Sequence, residues 1–234
     1  MRLAFIVPIH NRAATIGQCL LALAPLRRRG HRVIVVDGGS SDDGAVCAAP
    51  LADRIVLAPR GWPWQCNAGS RAPEAEGADA LVFLADSVRL PADADRAIAR
   101  ALSNSRSPWG AFAVRFDPAR RSHALPVRLA AYLANLCTRA TGICTREQAV
   151  FITRAAFLAL EGYDGPEASA DIDFCRRVAS LGPPIVLGDT VVAGTSVAGL
   201  RPFLAAVLRH EGRRVAGALG VGAAAAKRSG GRPT

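Results

Sequence analysis

One stretch constrains the fold more than any other: Val33-Ile34-Val35-Val36-Asp37-Gly38-Gly39-Ser40-Ser41-Asp42-Asp43-Gly44. Four consecutive β-branched residues run straight into an acid, two glycines and a group of small polar residues. Such a run, bounded by turn residues, reads as a strand buried on both faces, the pattern of a parallel sheet. Ligands of open α/β sheets sit just beyond the carboxyl ends of these strands. Asp37 is then either a carboxylate over that crevice, able to accept hydrogen bonds from a base or a ribose, or part of an ordinary strand-to-helix turn. Gly38 and Gly39 let the backbone turn and approach a ligand closely. Residues 40–43 offer caps for the next helix.

The flanking chain repeats the same unit. Residues 3–9 read as a strand with Pro8 near its end, and residues 13–24 carry helical spacing through Ile16, Leu20, Leu21 and Leu23. Arg27-Arg28-Arg29-Gly30 closes that helix. A helix over 42–49 and a strand over 54–57 follow. Three such units without hairpin signals predict a mostly parallel sheet covered on both faces. No G-x-G-x-x-G follows the first strand, where Pro8-Ile9-His10-Asn11 stands instead, which argues against a dinucleotide-binding Rossmann domain.

Further on, residues 60–69 read as a loop entering a helix that runs to about 76. Strands are expected over 80–85, 111–116, 148–152 and 184–187, and helices over 92–102, 125–137, 154–160 and 170–181. Residues 118–123 read as a polar, basic loop. Residues 203–219 form a basic amphipathic helix that either lies on anionic lipid or packs on the domain with its arginines outward. Residues 223–234 read as a disordered basic tail.

A chain of 234 residues with half of them hydrophobic is globular, and its net charge of +10 favours an anionic partner. The arginines are scattered, and no zinc-finger or helix-turn-helix pattern occurs, so nucleic acid is not the expected partner. The six cysteines show no C-x-x-C spacing and read as free thiols in a reducing compartment. The four histidines are dispersed, which disfavours histidine metal ligation. No run reaches the ~20 apolar residues that span a bilayer, and the expected location is cytoplasmic, with peripheral contact at the inner face of the membrane through the 203–219 helix.

Taken in order, the motifs resemble those of the family 2 glycosyltransferases, which have the GT-A fold, and among them the small bacterial single-domain type. Val7-Pro8-Ile9-His10-Asn11 is similar to the family's opening strand and loop. Residues 35–44 match its nucleotide-binding V-D-G-G-S-x-D-G-T signature closely. Gln65-Cys66-Asn67-Ala68-Gly69 looks like its Q-x-N-x-G helix start, and Phe83-Leu84-Ala85-Asp86 lies where it places metal-binding acids. Residues 146–151 resemble the G-D-Q segment, and Ala170-Asp171-Ile172-Asp173 resembles the E-D segment that holds the catalytic base.

The resemblance implies an α/β GT-A domain over residues 1–198. A mostly parallel nucleotide-binding half, about 1–91, merges into a smaller acceptor and catalytic half, about 92–198. The C-terminal helix occupies 199–222 and the tail 223–234. The implied activity is transfer of a sugar from a UDP- or GDP-linked nucleotide-diphospho-sugar to an acceptor hydroxyl, with inversion. Pro8, Asn11, Asp37, Gly38, Ser40 and Asn67 are then the nucleotide-binding residues, and Glu147 and Gln148 contact an acceptor of unknown kind, with a lipid-linked one in view. Asp86 would hold a divalent metal, Mg2+ or Mn2+, against the departing diphosphate. Asp171 would take the acceptor proton, at a helix start where the dipole keeps a carboxylate ionised; the plainer reading is a helix cap.

Departures from the pattern stand beside the matches. Ala85 and Ser87 occupy places of family acids and shift Asp86 by one residue. Position 12 is arginine where members usually have an acid. Trp62 replaces a diphosphate-reaching arginine that Arg60 could supply from two residues away, and Ala170 replaces the acid before the base. Trp62 and Trp64 either stack on a sugar or base or pack against the sheet. These substitutions admit an alternative: a catalytically degenerate GT-A protein that binds a nucleotide-sugar or a partner.

Overall fold

The computed structural model describes residues 1–117 and 124–194. Four strands, Leu3–Ile9 (β1), Arg32–Asp37 (β2), Arg54–Leu57 (β3) and Ala80–Phe83 (β4), pair in parallel in the order β3-β2-β1-β4. Ala13–Arg28 (α1), Gly44–Ala48 (α2), Trp62–Ser70 (α3) and Pro73–Glu76 (α4) connect them. Strands β1 and β4 are buried throughout and β2 is buried after its first residue. That double-sided burial is what the unbroken apolar runs require.

Past β4 the sheet turns mixed. Val88–Arg89 (β5), Trp109–Asp117 (β6), Phe151–Thr153 (β7) and Ile185–Gly194 (β8) extend it to the order β3-β2-β1-β4-β7-β6-β8-β5. Strand β7 is antiparallel to β4 and β6, β5 is antiparallel to β8, and β8 runs parallel to β6. Ala94–Ser103 (α5), Ala124–Thr141 (α6), Arg154–Ala159 (α7) and Ala170–Val178 (α8) are the helices of this part. The α/β GT-A architecture expected from the motifs is the one observed.

Several boundaries differ from the pattern-based ones. Residues 62–64 are already helical, because Pro63 in the first turn lacks only an N–H that a helix start leaves unpaired anyway. Strand β8 covers ten residues rather than four; Gly188, Asp189 and Thr190 hide it from a propensity reading. Strand β5, two residues long, has no periodicity to read. Arg146–Gln148 is a short 3-10 turn rather than a strand start, followed by Ala149 at φ 47°. The 118–123 loop, the domain end at 198, the 203–219 helix and the 223–234 tail lie outside the described residues. Among the described residues no helix is long and apolar enough to cross a membrane.

Helix α3 presses on the sheet at Gly69, where an added Cβ would fall 2.6 Å from Ile6 and 2.9 Å from Val36. This contact seats α3 above the carboxyl ends of β1 and β2. Four of the cysteines (Cys19, Cys66, Cys144 and Cys175) are buried, and all six are free thiols.

The amino-terminal edge of the sheet is locked by charge. Arg29 donates to both oxygens of Asp95, from Nε at 2.7 Å and from Nη2 at 2.9 Å. His31 Nδ1 accepts the Leu3 N–H at 3.1 Å, so the ring proton sits on Nε2 and is donated to Asp95 at 3.0 Å. Burial opposes ionisation of Asp95, but the bonds from Arg29 and His31 overcome it and hold its pKa at about 2. A carboxyl depressed in the folded state stabilises the fold above its unfolded pKa and loses that contribution as pH falls toward 2. Asp95→Asn is therefore expected to cost about 2 kcal/mol near neutrality and to flatten the acid limb of stability between about pH 4 and 2. Denaturant melts at a series of pH values check this.

Candidate functional site

The chain steps outward from β1 to β2 to β3, then returns to the other side of β1 as β4. A reversal of this kind leaves a crevice above the strand ends. Ile9 is level with Asp37 across one side of β1, and Ile6 is level with Phe83 across the other. Ile9 O accepts from Gly38 N and Ile6 O from Leu84 N. The amide of residue 8 therefore faces the β4 side beyond its last pair, so Pro8 breaks no ladder bond in this central strand.

The loops above these strand ends are sewn to one another. Asp37 is 4% exposed, and its Oδ1 accepts from Ser40 N and Ser40 Oγ. Ser40 Oγ accepts from Asn11 N at 2.9 Å, and Asn11 Oδ1 accepts from Ser41 N at 2.8 Å. Asn11 holds φ 53°, a left-handed conformation that asparagine tolerates better than most residues. Asp42 accepts from Ala13 N at 2.8 Å and Gly44 N at 3.0 Å, and the Ala13 bond above all holds its carboxyl below the usual range. Asp42 thus ties the start of α1 to the loop after β2. Asn11, Asp37 and Ser40 meet, as the motifs required. Gly38 has no space for a side chain: an added Cβ would lie 3.1 Å from Gln65 and 3.2 Å from Arg60 Cα.

Gln65 is a residue whose part the motif reading did not assign. Its Nε2 donates to Ile9 O at 2.8 Å and Val36 O at 2.7 Å, and its Oε1 accepts from Gly61 N at 3.2 Å. It bolts α3 to both strand ends. The glutamine stood in the motif, but nothing in one sequence says which carbonyls a buried amide will meet.

On the β4 side, Asp86 Oδ2 accepts from Thr15 Oγ1 at 3.1 Å and pairs with Arg12 Nε at 3.2 Å. Arg12 is half exposed, and Asp86 is largely covered. In the same loop, His10 Nδ1 is buried without a hydrogen-bond partner.

Asp171 lies in the first turn of α8, its Oδ2 3.3 Å from Arg146 Nε. Arg146 also reaches Glu167 at 3.5 Å and lies over the Trp62 ring, 5.0 Å from its centroid. Trp62 is buried and packs, whereas Trp64 is exposed. Burial pushes the Asp171 carboxyl up to about 6; Glu147 adds to the rise and Arg146 opposes it. Cys175 Sγ accepts from Cys144 N at 3.2 Å, fastening α8 to the loop that carries Arg146. The Asp171 charge reaches Cys66 on α3, whose thiol is raised chiefly by burial. Through α3 the crevice and Asp171 belong to one neighbourhood.

Two expected ligand contacts point inward instead. Asn67 Nδ2 donates to Tyr163 O at 2.8 Å and its Oδ1 accepts from Tyr163 N at 2.9 Å. Gln148 is wholly buried: its Oε1 accepts from Thr138 Oγ1 and Thr145 N, and its Nε2 donates to Phe112 O. An amide with both ends satisfied by the protein has little left for a ligand. Both amides act as clamps, Asn67 of the turn before α8 and Gln148 of the turn that carries Arg146. Glu147, between them and Asp171 in influence, is half-buried.

Residues 4–117 match the model of Glycosyl transferase family 2. The matched stretch is just under half of the chain and carries the family 2 signature. Asp37, Asn67 and Asp86 fall within the matched residues; Glu147, Gln148 and Asp171 lie beyond them. No curated protein matches the sequence. Among solved structures, the chain is similar to Staphylococcus aureus TarS 1-349 in complex with UDP-GlcNAc, at 15% identity and a TM-score of 0.59 over 84% of this chain and 59% of that one. It thus spans about three fifths of that relative. Mannosyl-3-phosphoglycerate synthase from Rubrobacter xylanophilus aligns at 16% identity and a TM-score of 0.61, over 91% of this chain and 76% of that one. The mannosyltransferase PcManGT from Pyrobaculum calidifontis, in complex with GDP-Man and Mn2+, aligns at 20% identity and a TM-score of 0.59, over 86% and 59%. At these identities the likeness is one of fold.

The residues around Asp86 do not fit a carboxylate-held metal. Asp86 is flanked by Ala85 and Ser87, and its Oδ2 is bonded to a guanidinium and a hydroxyl. Hard divalent ions need several oxygen ligands. Among the described residues no group of three or more His, Cys, Asp or Glu side chains is arranged to hold one.

Proposed function

We propose that this chain transfers a sugar from a UDP- or GDP-linked donor to an acceptor hydroxyl, with inversion at the anomeric carbon. The observation that carries this reading is the placement of Asp171: a carboxyl lifted by burial to about 6, set beside α3, which Gln65 bolts over the strand ends. Donors of this class are supported by the relatives, one in complex with UDP-GlcNAc and another with GDP-Man. The base and ribose lie against the floor built from Asp37, Ser40 and Asn11. One relative is in complex with Mn2+, and no step here is routed through a metal.

The chemical step is a displacement. The acceptor oxygen forms a bond to the anomeric carbon as the bond to the diphosphate breaks, and the acceptor proton passes to Asp171. A base near pH 6 is ionised at neutrality yet basic enough to draw a proton in the transition state. Arg146 keeps the carboxylate ionised and aimed, and its stacking on Trp62 fixes the guanidinium. Glu147, near Asp171, stays a candidate acceptor contact.

A binding module without turnover is favoured by one observation, the Arg12 guanidinium already seated on Asp86. Proton NMR of a panel of UDP- and GDP-sugars incubated with the protein and simple glycoside acceptors tests the two readings. Donor consumption with a product of opposite anomeric configuration is expected. Retained configuration contradicts the displacement, and intact donors throughout favour the binding module.

A further inference from the structure

Arg12 stands on the acid that family 2 resemblance would give to a metal, and it has the chemistry of a phosphate ligand. We propose that the Arg12 guanidinium, oriented by Asp86, is the positive group that meets the donor diphosphate, so that nucleotide binding needs no divalent ion. This rests on the nucleotide-diphosphate reading of the crevice.

Position comes first. Arg12 immediately precedes α1, in the loop whose Asn11 is sewn to Ser40 and Ser41, and Asp86 follows β4. The pair therefore spans the gap between β1 and β4, where the strand order reverses and a ligand's charged part is expected. Asp86 is 14% exposed while Arg12 is 52% exposed, so the acid is the covered anchor and the guanidinium the open face.

Occupancy comes second. Oδ2 of Asp86 already takes the Arg12 Nε–H and the Thr15 hydroxyl, so a divalent ion would have to share this one carboxylate with a guanidinium. It would find alanine and serine on either side in place of further carboxylates. The first turn of α1 holds no acid, so nothing else in that turn competes for Arg12. Thr15, three residues along the helix, keeps Asp86 in place for the pair.

Chemistry comes third. A guanidinium presents five N–H donors in a planar fork that matches phosphate oxygens. One is directed to Asp86, and the fork's outer edge belongs to the half-exposed face. Asp86 is then a positioning residue: it fixes the fork and leaves the contact to Arg12. The pair supplies by hydrogen bonds what the missing acids would have supplied through a cation.

Calorimetric titration of UDP and GDP into the full chain, in EDTA and again in Mn2+, tests this directly, with electron paramagnetic resonance following free Mn2+. Wild type is expected to bind in EDTA with an affinity that Mn2+ changes by less than about threefold, and to leave the free Mn2+ signal unchanged. Arg12→Glu, which places two acids side by side, should lose at least about tenfold in EDTA, the worth of one charge-assisted contact, and recover part of it in Mn2+. Asp86→Asn keeps a hydrogen-bond acceptor for Arg12; it should weaken binding equally in both buffers and remains informative if Arg12→Glu fails to fold. Tightening of wild type by tenfold or more in Mn2+, abolished by Asp86→Asn, would overturn the inference and leave the donor reading standing. Absence of nucleotide binding in either buffer would overturn the donor reading and this inference with it.

Discussion

Asp171→Asn is expected to slow sugar transfer by about 10²–10⁴-fold, the usual worth of a positioned general base, with nucleotide affinity unchanged. Asparagine keeps the shape of the side chain and an acceptor for Arg146 but cannot take a proton. Because burial lifts the carboxyl to about 6, wild-type turnover should rise with pH through that value and then level off. The residual activity of the variant should lack that limb. Stability runs the other way. A carboxyl raised in the folded state binds more protons folded than unfolded between about pH 4 and 6, so the wild type loses stability as pH rises through that window. The loss is bounded by about 3 kcal/mol; Asp171→Asn should flatten it. A buried helix cap would show the stability limb without the rate limb. Initial rates and denaturant melts across pH 4–8 measure both.

Phe174→Ala should be the most damaging of the supporting substitutions. Phe174 is 1% exposed on the buried side of α8 and stacks on Tyr163 at a centroid distance of 4.2 Å. It also meets Phe157 at 5.8 Å, and Phe157 meets Phe83 of β4 at 4.9 Å. This aromatic column carries α8, and with it Asp171, on the sheet. Truncating a buried phenylalanine costs about 3–5 kcal/mol, which in a domain of this size lowers Tm by roughly 10 °C. Tyr163 is also the residue whose backbone Asn67 clamps, so the loss should spread to the turn before α8. Calorimetric melting reads the stability. Activity measured well below the new Tm should fall through kcat rather than KM, because the donor floor rests on β1 and β2.

The end of this site around Asp37 was legible because its determinants are largely local. The β-branched run into Asp37-Gly38-Gly39-Ser40 encodes a buried strand, a turn and a polar loop within twelve residues, and Asp37, Ser40 and Asn11 do meet. The remote contacts were not legible. Asn67 and Gln148 sit in motifs that suggest ligand contact, yet their amides close on Tyr163, Thr138, Thr145 and Phe112, partners 10 to 96 residues away except for Thr145. Arg146 carried no role in the sequence; its stacking on Trp62 and its bond to Asp171 appear only in the structure. Arg12 and the displaced Asp86 are separate departures in the sequence, and only the structure brings them into contact at 3.2 Å. The mixed half of the sheet followed the same division. Strand β8 hides behind Gly188, Asp189 and Thr190, and its extent comes from pairing between β6 and β5 rather than from propensity.

A crystal structure of this chain with a bound UDP- or GDP-sugar tests the central claim most directly. The expected result is base and ribose density against Asp37, Ser40 and Asn11, diphosphate density above the ends of β1 and β4, and the anomeric carbon facing Asp171. Nucleotide density away from the β1–β4 crevice, or a sugar whose anomeric carbon faces away from Asp171, would contradict it.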